Sequence, residues 1–270
     1  MGELPPFSPI LNKLMATLAA EDVSFAKLAE LIEKDTVLAG NVLRMVNSAL
    51  YGRRGAINSV RHAVSLMGLV KLRNSVMSLS ISRIWSGART PKGWSGAQFN
   101  LHAVATAVMC DLLAQRGPIA YPEGGFVSGL LHDLGLLLIA ISLPVEYEAI
   151  RQLHEEGGMS IADAEMEVIG LVHSEISAAA LADWNLPEPR LTAVRYRRQP
   201  ERQTAELVPL SRALQLAEQL VDCRGIPVLP HGQPVEDQTA EMIASLGFEI
   251  ALGQLLDDFD REFEPMRSFF

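Results

Sequence analysis

The run GLLHDLGLLLI, Gly129 to Ile139, places one adjacent polar pair, His132 and Asp133, in otherwise apolar sequence. An imidazole beside a carboxylate is a donor set for a metal ion or a proton-transferring pair. Metal-assisted hydrolysis of a phosphate ester needs more than that pair. Neutral imidazoles and carboxylates must converge from several elements, leave an open position for water, and be joined by further Lys, Arg or His groups that hold the phosphate. Two other histidines stand in helical contexts. His102 is in line with Thr106, Met109 and Leu113 on the apolar side of a long segment. His173 opens a segment whose inner face continues through Ser177, Ala180, Leu181 and Trp184. His62, His154 and His231 lie in polar or loop-like surroundings. The same groups also fit a plainer arrangement, a buried polar cluster in which His132 and Asp133 satisfy each other and nearby backbone groups.

The elements that must position these residues are helical. Apolar residues recur at three- and four-residue steps, and no sustained apolar/polar alternation or βαβ rhythm is present, so the expected class is all-α. In SFAKLAELIEKD, Ser24 is a cap and Phe25, Leu28, Leu31 and Ile32 face inward. Asp35 caps the next helix, with Val37, Leu38, Val42, Met45 and Val46 on its buried side. Ser8 with Pro9 opens a helix near the N-terminus, Asn58 or Ser59 caps VRHAVSLMG, and LVKLRNSVMSLSISRIW follows. SGARTPKGWSG, Ser86 to Gly96, is the best internal boundary. Beyond it, AQFNLHAVATAVMCDLLAQRG is a long helix, and FVSGLLHDLGLLLIAISL is apolar all round and expected to be deeply buried. Pro144 starts another helix, SIAD resembles a capping box, and Pro187 and Pro189 break a helix pair. AELVPLSRALQLAEQLVD reads as a long helix kinked at Pro209, and the tail reads as a helix pair.

A chain of 270 residues with 49% hydrophobic and 20% charged residues has enough apolar material for a sizeable core. The net charge of -9 argues against general nucleic-acid binding. Two cysteines, Cys110 and Cys223, make neither a disulfide framework nor a zinc knuckle. The opening MGELPPFSPI has no basic region followed by an apolar core, so no signal peptide is expected. The longest uncharged apolar run, Leu134 to Pro144, falls short of the roughly 20 residues that span a bilayer. A soluble, cytoplasmic protein is the expectation. Charge is segregated: from Thr36 to Cys110 there is no Asp or Glu, while Arg44, Arg53, Arg54, Arg61, Lys71, Arg73, Arg83, Arg89 and Lys92 are basic. The tail from Glu236 carries nine acidic residues. This pattern makes a basic face for an anionic partner, a tail that folds back over the basic half, or solvated helix surfaces.

Several stretches resemble the HDOD domain family, the HD-related output domains of bacterial signalling proteins, within the superfamily of HD metal-dependent phosphohydrolases. They are LPPFSPILNKLMATL, LAELIEKDTVLAGNVLRMVNSALYG, INSVRHAVSLMGLVKLRNSVMSLSI, FVSGLLHDLGLLLI and VHSEISAAALADWNLPEPRLTAVRYRRQP. The resemblance implies an HDOD domain over residues 4–222, with an N-terminal helical half over 4–86, an HD-like half over 96–222, and an acidic helical extension over 223–270.

Carried over residue by residue, the HD metal motif falls on His102, His132, Asp133 and, in place of the usual Asp, Glu218. The Lys that follows HDxG in catalytic relatives is Leu136 here, and a frequent His-His pair is Arg197 and Arg198. Arg is cationic at any working pH and cannot ligate metal. The resemblance therefore implies a regulatory module with no catalytic residues and no expected cofactor. A divalent metal, if held, would be held by those four candidates. His173, Arg197 and Arg198 could instead form an anion or nucleotide site, Arg forks being suited to phosphate, or the two arginines could line a solvent-facing helix edge. The expected partners are signalling or regulatory proteins, with no nucleic acid and no membrane, in processes often near cyclic-di-GMP networks. The docking surface is expected at Arg53, Arg54 and the Arg73 helix face. The competing expectation is a phosphohydrolase using His102, His132, Asp133 and Glu218.

Overall fold

The computed structural model describes residues 13, 25–47, 57–85, 87–202, 207–230, 239–244, 246 and 249–270. The expected helix at Ser8, the Ser24 cap and the Arg53 and Arg54 loop lie outside these residues. Among the described residues the chain is all-α, with only an isolated bridge between Ile119 and Val208. It forms two compact units, one of residues 88–259 and one of the described residues up to 87 together with 260–270.

The smaller unit contains α1 (Phe25–Glu33), α2 (Thr36–Val46), α3 (Val60–Met67) and α4 (Leu69–Trp85). Leu28, Ile32, Leu38, Val42, Met45 and Leu72 are fully buried. Asp35 caps α2 as expected, Oδ1 accepting from the amides of Val37 and Leu38 at 3.1 and 3.0 Å. Its other oxygen accepts from Arg83 at 2.9 Å. Val37 departs from expectation. It is 54% exposed, because the first turn of α2 rotates it away from the Leu38–Val42–Met45 stripe. Asn47 ends α2 by bonding to the backbone of Ile57 in both directions, donating to its carbonyl and accepting from its amide, each at 2.7 Å. That reciprocal pair is what a backbone would offer in a strand, supplied here by one amide side chain.

The larger unit is built around α5 (Gly96–Arg116), followed by α6 (Gly125–Leu131), α7 (Leu134–Ser142), α8 (Pro144–Glu155), α9 (Ile161–Val168), α10 (His173–Asp183), α11 (Glu188–Arg195), α12 (Leu210–Cys223) and α13 (Thr239–Ala244). The last helix, α14 (Leu252–Arg267), gives residues up to Phe259 to this unit and the rest to the smaller one. Ser95 caps α5 and Ser160 caps α9, its hydroxyl accepting from the Asp163 amide at 3.1 Å. Two segments, Gly96–Arg116 and Pro122–Ser142, are long and apolar enough to cross a membrane, beyond the uncharged run Leu134 to Pro144. Of their most apolar stretches, 78% and 89% are buried within the protein. Pro209 does not kink a longer helix. It is the N-cap from which α12 starts, since a ring nitrogen without a proton suits a helix start.

The apolar run from Phe126 to Leu143 does not form one helix. It breaks at His132 and Asp133 into α6 and α7, and the break turns both side chains inward together. Two close approaches hold this shape. A Cβ on Gly129 would fall 2.6 Å from the Cα of Ala107, so only glycine lets α6 lie this close to α5. A Cβ on Gly135 would fall 2.1 Å from the carbonyl oxygen of His173, at the start of α10. Ser177 closes the joint, accepting from the Gly135 amide at 2.7 Å and donating to the His132 carbonyl at 2.8 Å. Gly135→Ala is therefore expected to destabilise the protein by about 1–3 kcal/mol or more, read as a lowered urea midpoint. An unchanged midpoint would show that α7 and α10 can separate freely.

Candidate functional site: a buried histidine, aspartate and arginine cluster

His102 on α5 and the His132–Asp133 turn meet inside the larger unit, and none of the three is more than 2% exposed. Each ring is fixed through its far nitrogen. His102 Nδ1 donates to the Ile226 carbonyl and His132 Nδ1 to the Gly129 carbonyl, both at 2.7 Å. In the neutral rings those bonds place the proton on Nδ1 and turn each Nε2 toward the other, 3.3 Å away. Asp133 Oδ2 lies 3.5 and 3.3 Å from these two nitrogens and has no hydrogen-bond partner. With both rings neutral, three acceptors face one another here, whereas a charged His132 pairs with Asp133. Two ligands at about 2.1 Å from a tetrahedral centre stand about 3.4 Å apart, so the three separations suit one divalent cation. The donor set of two imidazoles and a carboxylate fits such an ion.

The other half of the cluster is already supplied with a cation. Arg197, in the turn after α11, is fully buried. Its Nη2 donates to Asp133 Oδ1 at 2.6 Å and its Nε to Glu218 Oε2 at 3.0 Å. Arg198 takes the remaining Glu218 oxygen at 3.2 Å. Glu218, the fourth metal candidate, is thus brought to the cluster but bonded to guanidiniums on both oxygens. Arg197 does not lie on a solvent-facing edge, because two carboxylates repay its burial. Arg198 does face outward, its side chain 35% exposed.

His173 joins through a residue that sequence reasoning missed. Glu165 on α9 is fully buried and accepts from His173 Nδ1 at 2.6 Å and from its backbone amide at 2.9 Å. The visible signal was its place in the Ile161, Ala164, Glu165 stripe, an acid where an apolar residue belongs. His173 Nε2 lies 3.1 Å from Asp133 Oδ1 and also meets Arg197 Nη2. Burial works against a charged imidazole, but Glu165 and Asp133 outweigh it, and the His173 pKa lies above its ordinary value. Once that proton is lost, Nε2 can accept from Arg197. Burial likewise opposes charge on Asp133, but His132 and Arg197 hold its pKa well below the carboxylate range. For Glu218, burial is overcome by Arg197 and Arg198, which bring its pKa to about 2.

Outside Glu218 lies a cleft of about 420 Å³. Gln215, Glu218, Gln219 and Asp222, at helical spacing on α12, form its polar wall, with Arg198 at the edge and Val228 opposite. His154 lines it too. It is buried, and bonded to the carbonyl of Met159 in the loop that follows α8 at 2.7 Å. Leu136, at the place of the catalytic Lys, is fully buried. Arg73 is half-buried on α4, and Lys71 beside it pairs with Glu262 of the acidic tail at 2.9 Å.

Comparisons with known proteins agree with this architecture. The HDOD domain model matches residues 4–200. The structure of an HDOD domain protein with unknown function from Geobacter sulfurreducens superposes with a TM-score of 0.80 at 24% identity, covering 98% of this chain and 92% of that one. A Shewanella amazonensis SB2B protein, provisionally described as a phosphohydrolase, gives a TM-score of 0.74 at 23% identity, covering 98% and 94%. An uncharacterized protein from Treponema pallidum (strain Nichols) is 25% identical over 224 residues, 82% of this chain, and the chain spans only 42% of that protein's length. With the family model matched across most of both units and the same helical frame found in its solved relatives, the chain belongs to the HDOD domain family.

Proposed function

We propose that the chain is a signal-transduction module that works by recognising a partner protein and does not hydrolyse phosphate esters. The observation that carries this reading is the buried guanidinium of Arg197, bonded to both Asp133 and Glu218. A permanent cation fills the place where a hydrolase would keep carboxylate oxygens for metal and water. Leu136 offers no charge to a phosphate, and the His102, His132 and Asp133 side chains are closed off from solvent. The family's role as bacterial output domains supports the same reading and extends it to regulatory proteins, including those of cyclic-di-GMP networks. Docking is assigned to the basic smaller unit, at Arg53, Arg54 and the Arg73 face of α4.

A second reading rests on the unpartnered Asp133 Oδ2. His102, His132 and Asp133 would hold one divalent ion, and such an ion, when bound, supplies Lewis acidity. In this reading Arg197 fixes Asp133 through its other oxygen, and Glu218 contributes charge without ligating.

Three tests follow from the site and its surroundings. Protein purified without added metal, then supplied with Mn²⁺ and bis(p-nitrophenyl) phosphate, is expected to show no turnover above a His132→Ala control. Bound metal at one ion per chain together with turnover lost in His132→Ala would sink the non-hydrolytic reading. The second test is pH dependence. Asp133 and Glu218 have lowered pKa values, so their stabilisation is present above the unfolded values near 4 and is lost as pH falls through the lower folded values. His173 has a raised pKa, so its contribution is complete below about 6.5 and fades as pH rises through the folded value. Arg197→Met is expected to cost about 3–5 kcal/mol at neutral pH by leaving the buried Asp133 without its guanidinium, and to flatten the acid limb of the stability curve, because the folded carboxylate pKa values rise toward the unfolded ones. A neutral-pH loss below about 1 kcal/mol would show the pair to be dispensable. Finally, reversing Arg53 and Arg54 to Glu should weaken partner capture with little change in thermal midpoint, and undiminished capture would count against the basic docking face.

A further inference from the structure

A second buried arginine lies apart from the cluster and lacks what Arg197 has. Arg190, the third residue of α11, is 2% exposed. Its Nε and Nη2 are both buried and have no hydrogen-bond partner. Those two N–H groups point to one side of the guanidinium and together form the fork that receives two oxygens of a carboxylate or phosphate in parallel. Arg197, equally buried, spends the same two nitrogens on Asp133 and Glu218. Arg190 has no carboxylate bonded to it among the described residues.

What Arg190 does have is Tyr121, which covers it and hydrogen-bonds to it. Its guanidinium carbon lies 5.2 Å from the centre of the Tyr121 ring. Tyr121 is only partly buried and has φ of 61°, in the left-handed region that a bulky side chain rarely adopts. The turn is kept in place from both sides. Ala120 donates to the Val208 carbonyl at 2.9 Å, and Val208 donates to the Pro118 carbonyl at 3.0 Å. Gly124 leaves room for the ring, since a Cβ there would come within 2.5 Å of it. The nearest acidic influence is Glu123, exposed in the short turn Pro122–Gly124. A buried cation thus presents an N–H pair with no carboxylate on it, beside a partly exposed ring that stacks on it and hydrogen-bonds to it.

We propose that Arg190 binds an oxyanion, carboxylate or phosphate, side-on through Nε and Nη2, and that Tyr121 is the cover that moves to admit it. The inference is independent of whether the His132 cluster holds metal or hydrolyses anything.

The test follows arginine Nε–H resonances of the full chain during titration with inorganic phosphate or with acetate, each against chloride at matched ionic strength. One Nε–H signal is expected to move saturably. Arg190→Lys is expected to abolish that response while circular dichroism stays unchanged. Glu123→Gln, a surface change, is expected to tighten binding by about two- to fivefold by removing a nearby negative charge. A response to phosphate but not acetate assigns a phosphorylated ligand, and a response to both assigns a site open to carboxylates. No saturable shift, the same shift in Arg190→Lys, or unchanged or weaker binding in Glu123→Gln overturns the proposal.

Discussion

The larger unit depends on the ion pair between Arg197 and Asp133. A guanidinium at zero exposure must be matched by carboxylates, and a carboxylate in the turn between two apolar helices must be matched by a cation. Each therefore requires the other. Through Glu218 the pair also ties the turn after α11 to α12, and through His173 and Glu165 it reaches α10 and α9. Four helices thus converge on one charge-balanced knot. Asp133 is divided by it, with Oδ1 committed to Arg197 and His173 and Oδ2 left toward the two imidazoles.

The pattern of helices was largely legible because its signals are local. Asp35 and Ser160 are caps whose partners stand two or three residues away, and Pro144 starts a helix by its own geometry. His102, His132 and Asp133 could be picked out because polar groups on apolar faces are conspicuous. The helix break at His132 was hidden, since a run of apolar residues looks alike whether it is one helix or two. What decides between them is the approach of α10 to Gly135, a contact made across some forty positions of sequence. Arg197 was hidden for a related reason. Its charge argues for solvent until its carboxylate partners, distant in sequence, are known. Glu165 sat in an inward stripe and could have been found by asking which acid interrupts an apolar face.

The acid-free stretch shows the same limit in the smaller unit. Segregation of charge along the chain is not segregation in space. Arg83 is met by Asp35, just outside the stretch, and Lys71 by Glu262 from the tail. Of the arrangements open from sequence, a tail folded back on basic residues is the one the Lys71–Glu262 pair supports. Both pairs are partly exposed and each contributes only about 0–1 kcal/mol, so neither does much to hold the unit together.

The turn at His132 and Asp133 is fixed by backbone contacts. Because Ser177 grips the His132 carbonyl and Gly135 admits α10, the dipeptide sits at a joint the backbone needs whether or not anything is cleaved there. A His-Asp pair read along the chain therefore marks a joint first, and the partner that takes one oxygen of its carboxylate lies 64 residues downstream, at Arg197.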